Sequence, residues 1–345
     1  MLPRGEIRCT ESGMQYKMFE LQTDGLLRRV TRKMIESDPT LTLTANDGHA
    51  IHVRHWSPDD GAVGIIQITH GLGEHGKRYA RFAEAAVARG FVVAVHDHRG
   101  HGGHGDTQAY FADKNGWQLL IDDTLVVHKY LATQFADLPL ALLGHSMGSF
   151  IAQDFAMHYG GLLDALLLSA STWPSRMETR AGNMLARIEC WRLGAHRHSA
   201  LLDKLGFGNF NKPFEPARTK LDWLSRDPDE VDAYIADPLC GGPYTAGLWR
   251  DLTGGLLRIA SDDSVLRVPS DLPILITGGE EDPVGGERGL GNLVLHYAQT
   301  GHTRLTTKIY AQGRHEMLND INRDEVTADW LDWFGSNMPK KSPAQ

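Results

Sequence analysis

The sequence predicts an α/β fold with a mostly parallel sheet that is covered by helices on both faces. Three observations lead to this prediction: short apolar runs of the length of buried strands, helical apolar spacing between those runs, and a glycine-flanked serine directly after one of them. Strands that alternate with helices are typical of parallel sheets. With 345 residues, the chain is long enough for one large domain of this kind and an insertion.

The predicted strands and helices follow one another from residue 41. Residues 41–44 and 51–56 alternate with a period of two around Asn46-Asp47-Gly48, which favours a tight turn, so they predict a hairpin at the edge of the sheet. Further strands are predicted at 62–69, 91–97, 140–143, 165–169, 272–279 and 304–310. Helices are predicted over 79–89 and 117–135, near 292–299, and through Val326, Trp330, Trp333 and Phe334.

The alternation of strands and helices stops between residues 172 and 245. Helical pieces follow one another there without strands, and aromatic residues are spread among them. We interpret residues 172–245 as an inserted helical cap, which leaves 38–171 and 246–338 as the core. Residues 1–37 are interpreted as a leader of uncertain order and 339–345 as a disordered tail. We expect the cap to form an apolar pocket over the core.

The candidate nucleophile lies in Gly144-His145-Ser146-Met147-Gly148, which follows the apolar run at 140–143 and precedes a helical pattern. This context is typical of a nucleophile elbow, a sharp strand-to-helix turn that lifts a serine hydroxyl clear of the sheet. Glycine is expected at 144 and 148 because a Cβ there would collide with neighbouring backbone. Ser146 is therefore the predicted nucleophile.

A serine hydroxyl needs an imidazole to accept its proton and a carboxylate to hold that imidazole. After a nucleophile elbow the chain order is serine, acid, histidine, and the groups lie beyond the carboxyl ends of parallel strands. His315 fits this order, whereas His296 lies within a predicted helix and His302 precedes its strand. Asp282 is the predicted acid, because it follows a strand and Pro283 favours an extended conformation for it.

The remaining polar groups near these positions are given other roles. Glu280 and Glu281 are interpreted as solvated charges. The oxyanion of a tetrahedral intermediate needs preset N–H donors. We predict these donors to be the amide of Met147, at a helix N-terminus, and an amide at Gly71 or Leu72, with Leu72 the better candidate.

Charge, cysteine use and the first residues indicate which partners and which compartment to expect. The formal charge of −8 provides no basic surface for nucleic acid. Cys9, Cys190 and Cys240 form no disulfide pattern, which favours a reducing compartment. The first residues contain no apolar signal region, so we expect a cytoplasmic protein. The basic amphipathic stretch at 26–35 suggests transient contact with a membrane surface.

Five motifs, in order along the chain, resemble the monoacylglycerol lipase and lysophospholipase group of α/β-hydrolases, also called the serine aminopeptidase S33 type. They are His70-Gly71-Leu72-Gly73-Glu74-His75 with Arg78-Tyr79, Asp97-His98-Arg99-Gly100-His101-Gly102, Gly144-His145-Ser146-Met147-Gly148, Asp282-Pro283-Val284, and Arg314-His315-Glu316-Met317-Leu318-Asn319. The resemblance covers about residues 38–338. Ser149 departs from it, because such proteins often have glycine there.

The resemblance implies an α/β-hydrolase fold with an eight-stranded, mostly parallel sheet and an inserted cap. It implies Ser146 as nucleophile, Asp282 and His315 as its relay, and the amides of Leu72 and Met147 as the oxyanion hole. No cofactor or metal is implied. The implied reaction is hydrolysis of the carboxylic ester of a monoacyl lipid, a monoacylglycerol or a lysophospholipid, through an acyl-enzyme. The cap contains no motif of this group, so substrate choice stays open.

Other readings of the same residues stay open. A thioesterase, a peptidase, a carbon–carbon bond hydrolase or a small-ester carboxylesterase would use the same three residues, and a catalytically silent binding protein would share the fold. A metal site is the sharpest rival. Histidines and aspartates that resemble an H-x-H-x-D metallohydrolase motif crowd one loop: His96, Asp97, His98, His101, His104 and Asp106. A metal site there would leave Ser146 and His315 without a role.

Overall fold

The computed structural model describes residues 40–104 and 107–338, and every structural statement below concerns these residues. The predicted leader at 1–37 and the predicted tail at 339–345 lie outside the described residues. The strands are β1 (Thr40–Thr44), β2 (Ala50–Trp56), β3 (Gly64–Thr69), β4 (Phe91–His96), β5 (Leu140–His145), β6 (Ala165–Ser169), β7 (Ile274–Gly279) and β8 (Leu305–Tyr310).

The α-helices lie between and after these strands. They are α1 (Ala80–Ala88), α2 (Gly116–Gln134), α3 (Met147–Tyr159), α4 (Arg176–Leu193), α5 (Ala200–Phe207), α6 (Pro228–Ala236), α7 (Ala246–Ile259), α8 (Asp262–Val265), α9 (Gly286–Gln299) and α10 (Arg323–Asn337). The predicted helix near 292–299 thus begins earlier, at Gly286. The early part was missed because Gly289 and Gly291 lower its intrinsic helix propensity.

One eight-stranded sheet organises the chain, with the strand order β1-β2-β4-β3-β5-β6-β7-β8. The hairpin β1–β2 is antiparallel and joins β4 at the edge, and all pairings from β4 to β8 are parallel. The strands β3 to β7 are buried along their whole length. The prediction of a mostly parallel eight-stranded α/β sheet is confirmed.

Two apolar layers hold the helices to the two faces of the sheet. In β5, Leu142 packs in the layer that contains Phe155 of α3, and the next residue, Leu143, packs in the opposite layer with Trp330 of α10. Alternate residues of a strand point to opposite faces, so an uninterrupted apolar run is needed where both faces are covered. Full burial of a side chain such as Phe155 contributes on the order of 2–3 kcal/mol.

Between β6 and β7 the described chain forms the helices α4 to α8. Ser175 accepts a hydrogen bond from the backbone N–H of Glu178 and so caps the start of α4. Thr245 caps α7 in the same way, with the N–H of Leu248 at 3.1 Å. α7 packs on α4 and on the core helices α2 and α3. The division into core and cap at residues 172–245 stays a prediction.

Candidate active site

Ser146 lies in the sharp turn between β5 and α3. Its backbone has φ 53° and ψ −121°, a conformation that residues with a side chain rarely adopt. A Cβ at Gly144 would lie 2.4 Å from the carbonyl oxygen of Gly148, and a Cβ at Gly148 would lie 1.9 Å from the carbonyl oxygen of Thr69. Only glycine fits at both positions, as the sequence predicts, and the turn exposes the Ser146 hydroxyl above the sheet.

A chain of hydrogen bonds joins Ser146 to the two side chains predicted as its partners. His315 Nε2 lies 2.9 Å from Ser146 Oγ, and His315 Nδ1 lies 2.8 Å from Asp282 Oδ1. Because an ionised carboxylate only accepts, Nδ1 carries the proton and Nε2 is left to accept from the serine hydroxyl. The backbone N–H of Val284 also donates to Asp282 Oδ1, at 2.9 Å. This tautomer is the one that a general base requires.

The sheet topology explains why residues so distant in sequence meet. Ser146 follows β5, Asp282 follows β7 and His315 follows β8, and the carboxyl ends of these parallel strands share one edge. Asp282 and His315 are buried, whereas Glu280 and Glu281 are exposed, as predicted for solvated charges.

Two backbone amides are predicted to bind the oxyanion. Met147 is the first residue of α3, and the N–H groups of a first helical turn have no partner within the helix. Leu72 lies in the loop after β3. The N–H of the preceding Gly71 donates to Glu74 Oε1 at 2.5 Å, which holds this loop in place. The oxyanion role of both amides stays a prediction.

Ser149, which departs from the family pattern, packs behind the turn. Its Oγ lies 2.6 Å from the carbonyl oxygen of Ser146 and 2.8 Å from Ser171 Oγ. The Ser149 hydroxyl therefore has two partners inside the protein, and neither of them is the Ser146 hydroxyl.

A cavity of about 1130 Å³ opens over Ser146 and His315. Its wall near Ser146 is formed by apolar and aromatic side chains, among them Leu72, Phe207, Trp223, Tyr234, Tyr244 and Val284. Trp223 packs against the base, with its ring centroid 4.9 Å from that of His315. Trp191, by contrast, is 87% exposed and is not part of the cavity wall.

The expectation of a wholly apolar pocket is wrong at the outer end. Exposed charged side chains line the cavity there, namely Lys204, Glu215, Arg218 and Lys220. All four are exposed to solvent at this end, and Arg218 also forms an ion pair with Asp232 at 2.6 Å. Apart from the buried Glu74, His145 and Glu316, the cavity is therefore apolar near Ser146 and polar at its mouth.

Comparison with known proteins identifies the family. Residues 60–322 match the family model described as serine aminopeptidase, S33. The chain belongs to this family. It is 29% identical to a monoacylglycerol lipase of Mycolicibacterium smegmatis, over 82% of this chain and 92% of that protein. It is 28% identical to the monoglyceride lipase of Rattus norvegicus, over 81% of this chain and 84% of that protein.

A solved structure agrees with these relatives. A thermostable carboxyl esterase from Bacillus coagulans, in complex with glycerol, has a TM-score of 0.80 and 28% identity, and the match covers 87% of this chain and 98% of that one. The predicted resemblance to the monoacylglycerol lipase group of α/β-hydrolases is confirmed, and so is the prediction that this S33-family protein is a hydrolytic enzyme. None of the described helices is long and apolar enough to cross a membrane.

The histidine-rich loop of this S33-family protein has structural contacts. Asp97 accepts hydrogen bonds from Arg54 Nη1 at 2.5 Å and from the N–H of Gly76 at 2.7 Å, and His104 Nε2 lies 2.7 Å from its Oδ2. His98 donates its backbone N–H to His70 Nε2 at 3.1 Å. Asp106 lies outside the described residues. The carboxylate of the rival metal site therefore holds the loop to its neighbours.

Sequence reasoning assigned no role to four side chains that lie next to the predicted catalytic groups. They are Glu74, Arg78, Tyr79 and Glu316, and all are largely buried. Arg78 donates two hydrogen bonds to Glu316, both 2.7 Å long. All four stand inside the motifs that carry the family resemblance. The presence of charged residues inside these motifs was the signal that the sequence offered.

The protein sets different proton affinities for two adjacent imidazoles. Burial lowers the pKa of His315, but the Asp282 carboxylate, with Glu316 and Glu74, outweighs burial and holds its pKa above the ordinary 6.5. Burial and the neighbouring His315 lower the pKa of His145 to about 4. The two ring centroids are only 5.0 Å apart.

We expect kcat/KM to fall on the acid side with a midpoint above pH 6.5. A general base must be neutral to accept a proton, and the raised pKa means that His315 becomes protonated as the pH drops through a value above the ordinary 6.5. The measurement is kcat/KM for a short p-nitrophenyl ester between pH 5 and 9. A flat profile over this range, which a base with the lowered pKa of His145 would give, would contradict the assignment of His315 as base.

Proposed function

We propose that this S33-family protein is a serine ester hydrolase that cleaves the carboxylic ester of monoacyl lipids, monoacylglycerols or lysophospholipids, through an acyl-enzyme. One observation carries the proposal: the hydrogen-bond chain from Asp282 through His315 to Ser146 ends in a cavity of about 1130 Å³. The relatives named monoacylglycerol and monoglyceride lipase support the choice of lipid.

Acylation begins when Ser146 Oγ attacks the ester carbonyl carbon. As the bond forms, the hydroxyl proton moves to His315 Nε2, and Asp282 stabilises the imidazolium through Nδ1–H. The carbonyl oxygen becomes an oxyanion, to which the amides of Leu72 and Met147 donate. When the intermediate collapses, the bond to the alcohol oxygen breaks and His315 returns its proton to that oxygen. The alcohol leaves and the acyl group stays on Ser146.

Deacylation repeats these steps with water. His315 Nε2 takes a proton from a water molecule as the water oxygen attacks the acyl carbon. The second intermediate collapses by breaking the bond to Ser146 Oγ, which recovers a proton from His315. A free fatty acid leaves and the serine hydroxyl is restored, so the cycle needs neither cofactor nor metal.

We place the acyl chain in the apolar part of the cavity, under the predicted cap. Phe207, at the end of α5, lines this part, and its ring centroid lies 5.5 Å from that of Tyr244 and 5.4 Å from that of Trp249. Phe207 is one step removed from the base: its ring stacks on that of Trp223 at 6.3 Å, and Trp223 packs on His315. Changing Phe207 therefore tests the acyl site while the direct contacts of the base stay in place.

Chain-length preference should therefore depend on Phe207. In the wild type each added methylene should raise kcat/KM up to about fourfold, or about 0.8 kcal/mol, until the cavity is full. Phe207→Ala should shift the optimum to longer chains and change acetate turnover by less than about twofold, because a two-carbon acyl group fills little of the cavity. The measurement is kcat/KM for p-nitrophenyl acetate through laurate, and for monoacylglycerols of the same lengths.

Trp191→Ala is the matched control, because this aromatic residue belongs to the same predicted cap but is exposed. It should keep the wild-type profile. Indifference of the wild type to chain length, or the same profile in Phe207→Ala as in Trp191→Ala, would remove the acyl-chain role of the cap and favour a peptidase or a small-ester enzyme.

The location of the protein and its contact with membranes stay predictions within this proposal. A cytoplasmic location is proposed from cysteine use and from the first residues, which contain no apolar signal region. Transient contact with a membrane surface was suggested by residues 26–35, which lie outside the described residues.

A further inference from the structure

A buried array of three charged side chains lies behind the predicted catalytic groups. Arg78 Nη1 and Nη2 each donate to one oxygen of Glu316, both at 2.7 Å, and Nη1 also donates to Glu74 Oε2 at 3.0 Å. Glu74 and Glu316 are 4% and 6% exposed, and the Arg78 side chain is 11% exposed. The Arg78 guanidinium also lies 4.9 Å from the ring centroid of Tyr234. Three of the five N–H donors of the guanidinium are thus directed by the two carboxylates.

The two carboxylates hold the two halves of the site. Glu74 accepts from the N–H of Gly71, the residue before Leu72, and from Tyr79 Oη at 2.9 Å. Glu316 directly follows His315 in the chain, and its own N–H donates to the carbonyl oxygen of Leu224 at 2.8 Å. Arg78 therefore connects the loop of the predicted oxyanion amide to the loop of the base, although Glu316 is 238 residues away in sequence.

The array is poorly explained as a source of stability. Removing charges from water is costly, so a buried ion pair is often no better for stability than apolar residues of similar volume. Its geometry, however, is specific, since a two-bond fork between guanidinium and carboxylate fixes both distance and orientation. Burial would raise the pKa of Glu316, but Arg78 outweighs burial and holds that pKa at about 2, so the carboxylate stays charged.

We propose that Glu316, Arg78 and Glu74 are positioning residues that fix the base His315 relative to the oxyanion amide of Leu72. This inference rests on the proposed function. Glu74 and Glu316 border the cavity, but their carboxylates are bonded to Arg78. It acts by holding the two loops at the separation at which proton transfer and oxyanion binding occur together. A displacement of about 1 Å between such groups lowers turnover by as much as about 10²-fold.

Glu316→Gln tests the charge and Arg78→Lys tests the fork. The charged and titratable groups around His315 are Asp282, Glu316, Glu74, Arg78 and His145. Glu316→Gln removes one negative charge near His315, so the acid limb of kcat/KM should move to lower pH while kcat falls by about 10- to 10²-fold. Arg78→Lys keeps the charge but loses the fork, so kcat should fall with the acid limb unchanged.

The experiment measures kcat, KM and the pH profile per active site, with sites counted by labelling Ser146 with a fluorophosphonate. KM should stay near the wild-type value. If Glu316→Gln does not fold, Glu316→Asp replaces it as the test. This variant keeps the charge and shortens the side chain, so it should behave like Arg78→Lys. Arg89→Met removes an exposed ion pair with Asp332 and is the control expected to keep wild-type kinetics.

Two results would overturn the inference. The first is wild-type kcat per labelled site in the Glu316 and Arg78 variants. The second is a lower melting temperature with unchanged kcat and an unchanged acid limb, because such a result would make the array merely structural. Ser146→Ala is measured in parallel: if it stays active, the proposed function fails, whereas an inactive Ser146→Ala beside fully active array variants rejects only the positioning role.

Discussion

Ser146→Ala should abolish ester hydrolysis, with kcat lower by as much as about 10⁶. The Oγ atom is the nucleophile in the proposed reaction, and the variant removes it while His315, Asp282 and the two amides stay in place. Folding should be retained, because the hydroxyl makes no core contact and alanine can occupy the same backbone position. The measurements are steady-state hydrolysis of a p-nitrophenyl ester, thermal unfolding and binding of a non-hydrolysable ether analogue.

Ser175→Ala is the matched control, since this serine caps α4 and lies outside the cavity wall. It should hydrolyse esters at the wild-type rate. More than about a tenth of wild-type activity in Ser146→Ala would reject the nucleophile assignment, because a triad serine cannot be replaced to that extent. The histidine-rich loop around Asp97 would then be tested with chelators.

The sheet could be predicted because its signal is local. A strand covered on both faces must be mainly apolar, so β3 to β7 appear in the sequence as short apolar runs. Gln67, a polar residue inside the run of β3, donates a hydrogen bond to the carbonyl oxygen of Thr124 at 2.9 Å. The turn at Ser146 is equally local, since strand, glycines and helix adjoin in the chain. Asp282 and His315 followed from chain order and from the strand edge on which each must lie.

The interior of the cavity could not be predicted, because it depends on contacts between distant segments. Trp191 and Trp223 are the same residue type and both lie in the predicted cap, so the sequence does not distinguish them. In the structure Trp191 is exposed, whereas Trp223 packs on His315. The helical pieces of this region show too little periodicity to tell which face is covered.

The ion array was missed for a related reason. Arg78 and Glu316 each look like an ordinary surface charge in sequence, and charged residues are almost never fully buried unless they are paired. Their pairing becomes visible only when the loop after β3 and the loop after β8 meet at one edge of the sheet. A charged residue that stands inside a catalytic motif is thus a better candidate for a buried partner than its residue type suggests.

His315→Ala should be nearly as damaging as Ser146→Ala, again with a loss of about 10⁶ in kcat. Without Nε2 no group is placed to accept the proton of Ser146 Oγ, since the neighbouring His145 is not bonded to that oxygen and instead lies 3.2 Å from Ser169 Oγ. The acid limb of the pH profile should disappear with the imidazole. His296→Gln, a change of the late histidine within α9, is the control and should keep wild-type activity.

The double variant Ser146→Ala/His315→Ala gives the sharper test, because serine and base act as one unit. Once the nucleophile is gone the imidazole has no proton to accept, so the double variant should be no slower than Ser146→Ala alone. All three variants should still hydrolyse the ester about 10³- to 10⁴-fold faster than the uncatalysed reaction in water, because the oxyanion amides and the substrate-binding contacts remain. The contrary result is a double variant whose fold loss in kcat equals the product of the two single-variant losses. The two residues would then act independently, and His315 would not be the base of Ser146.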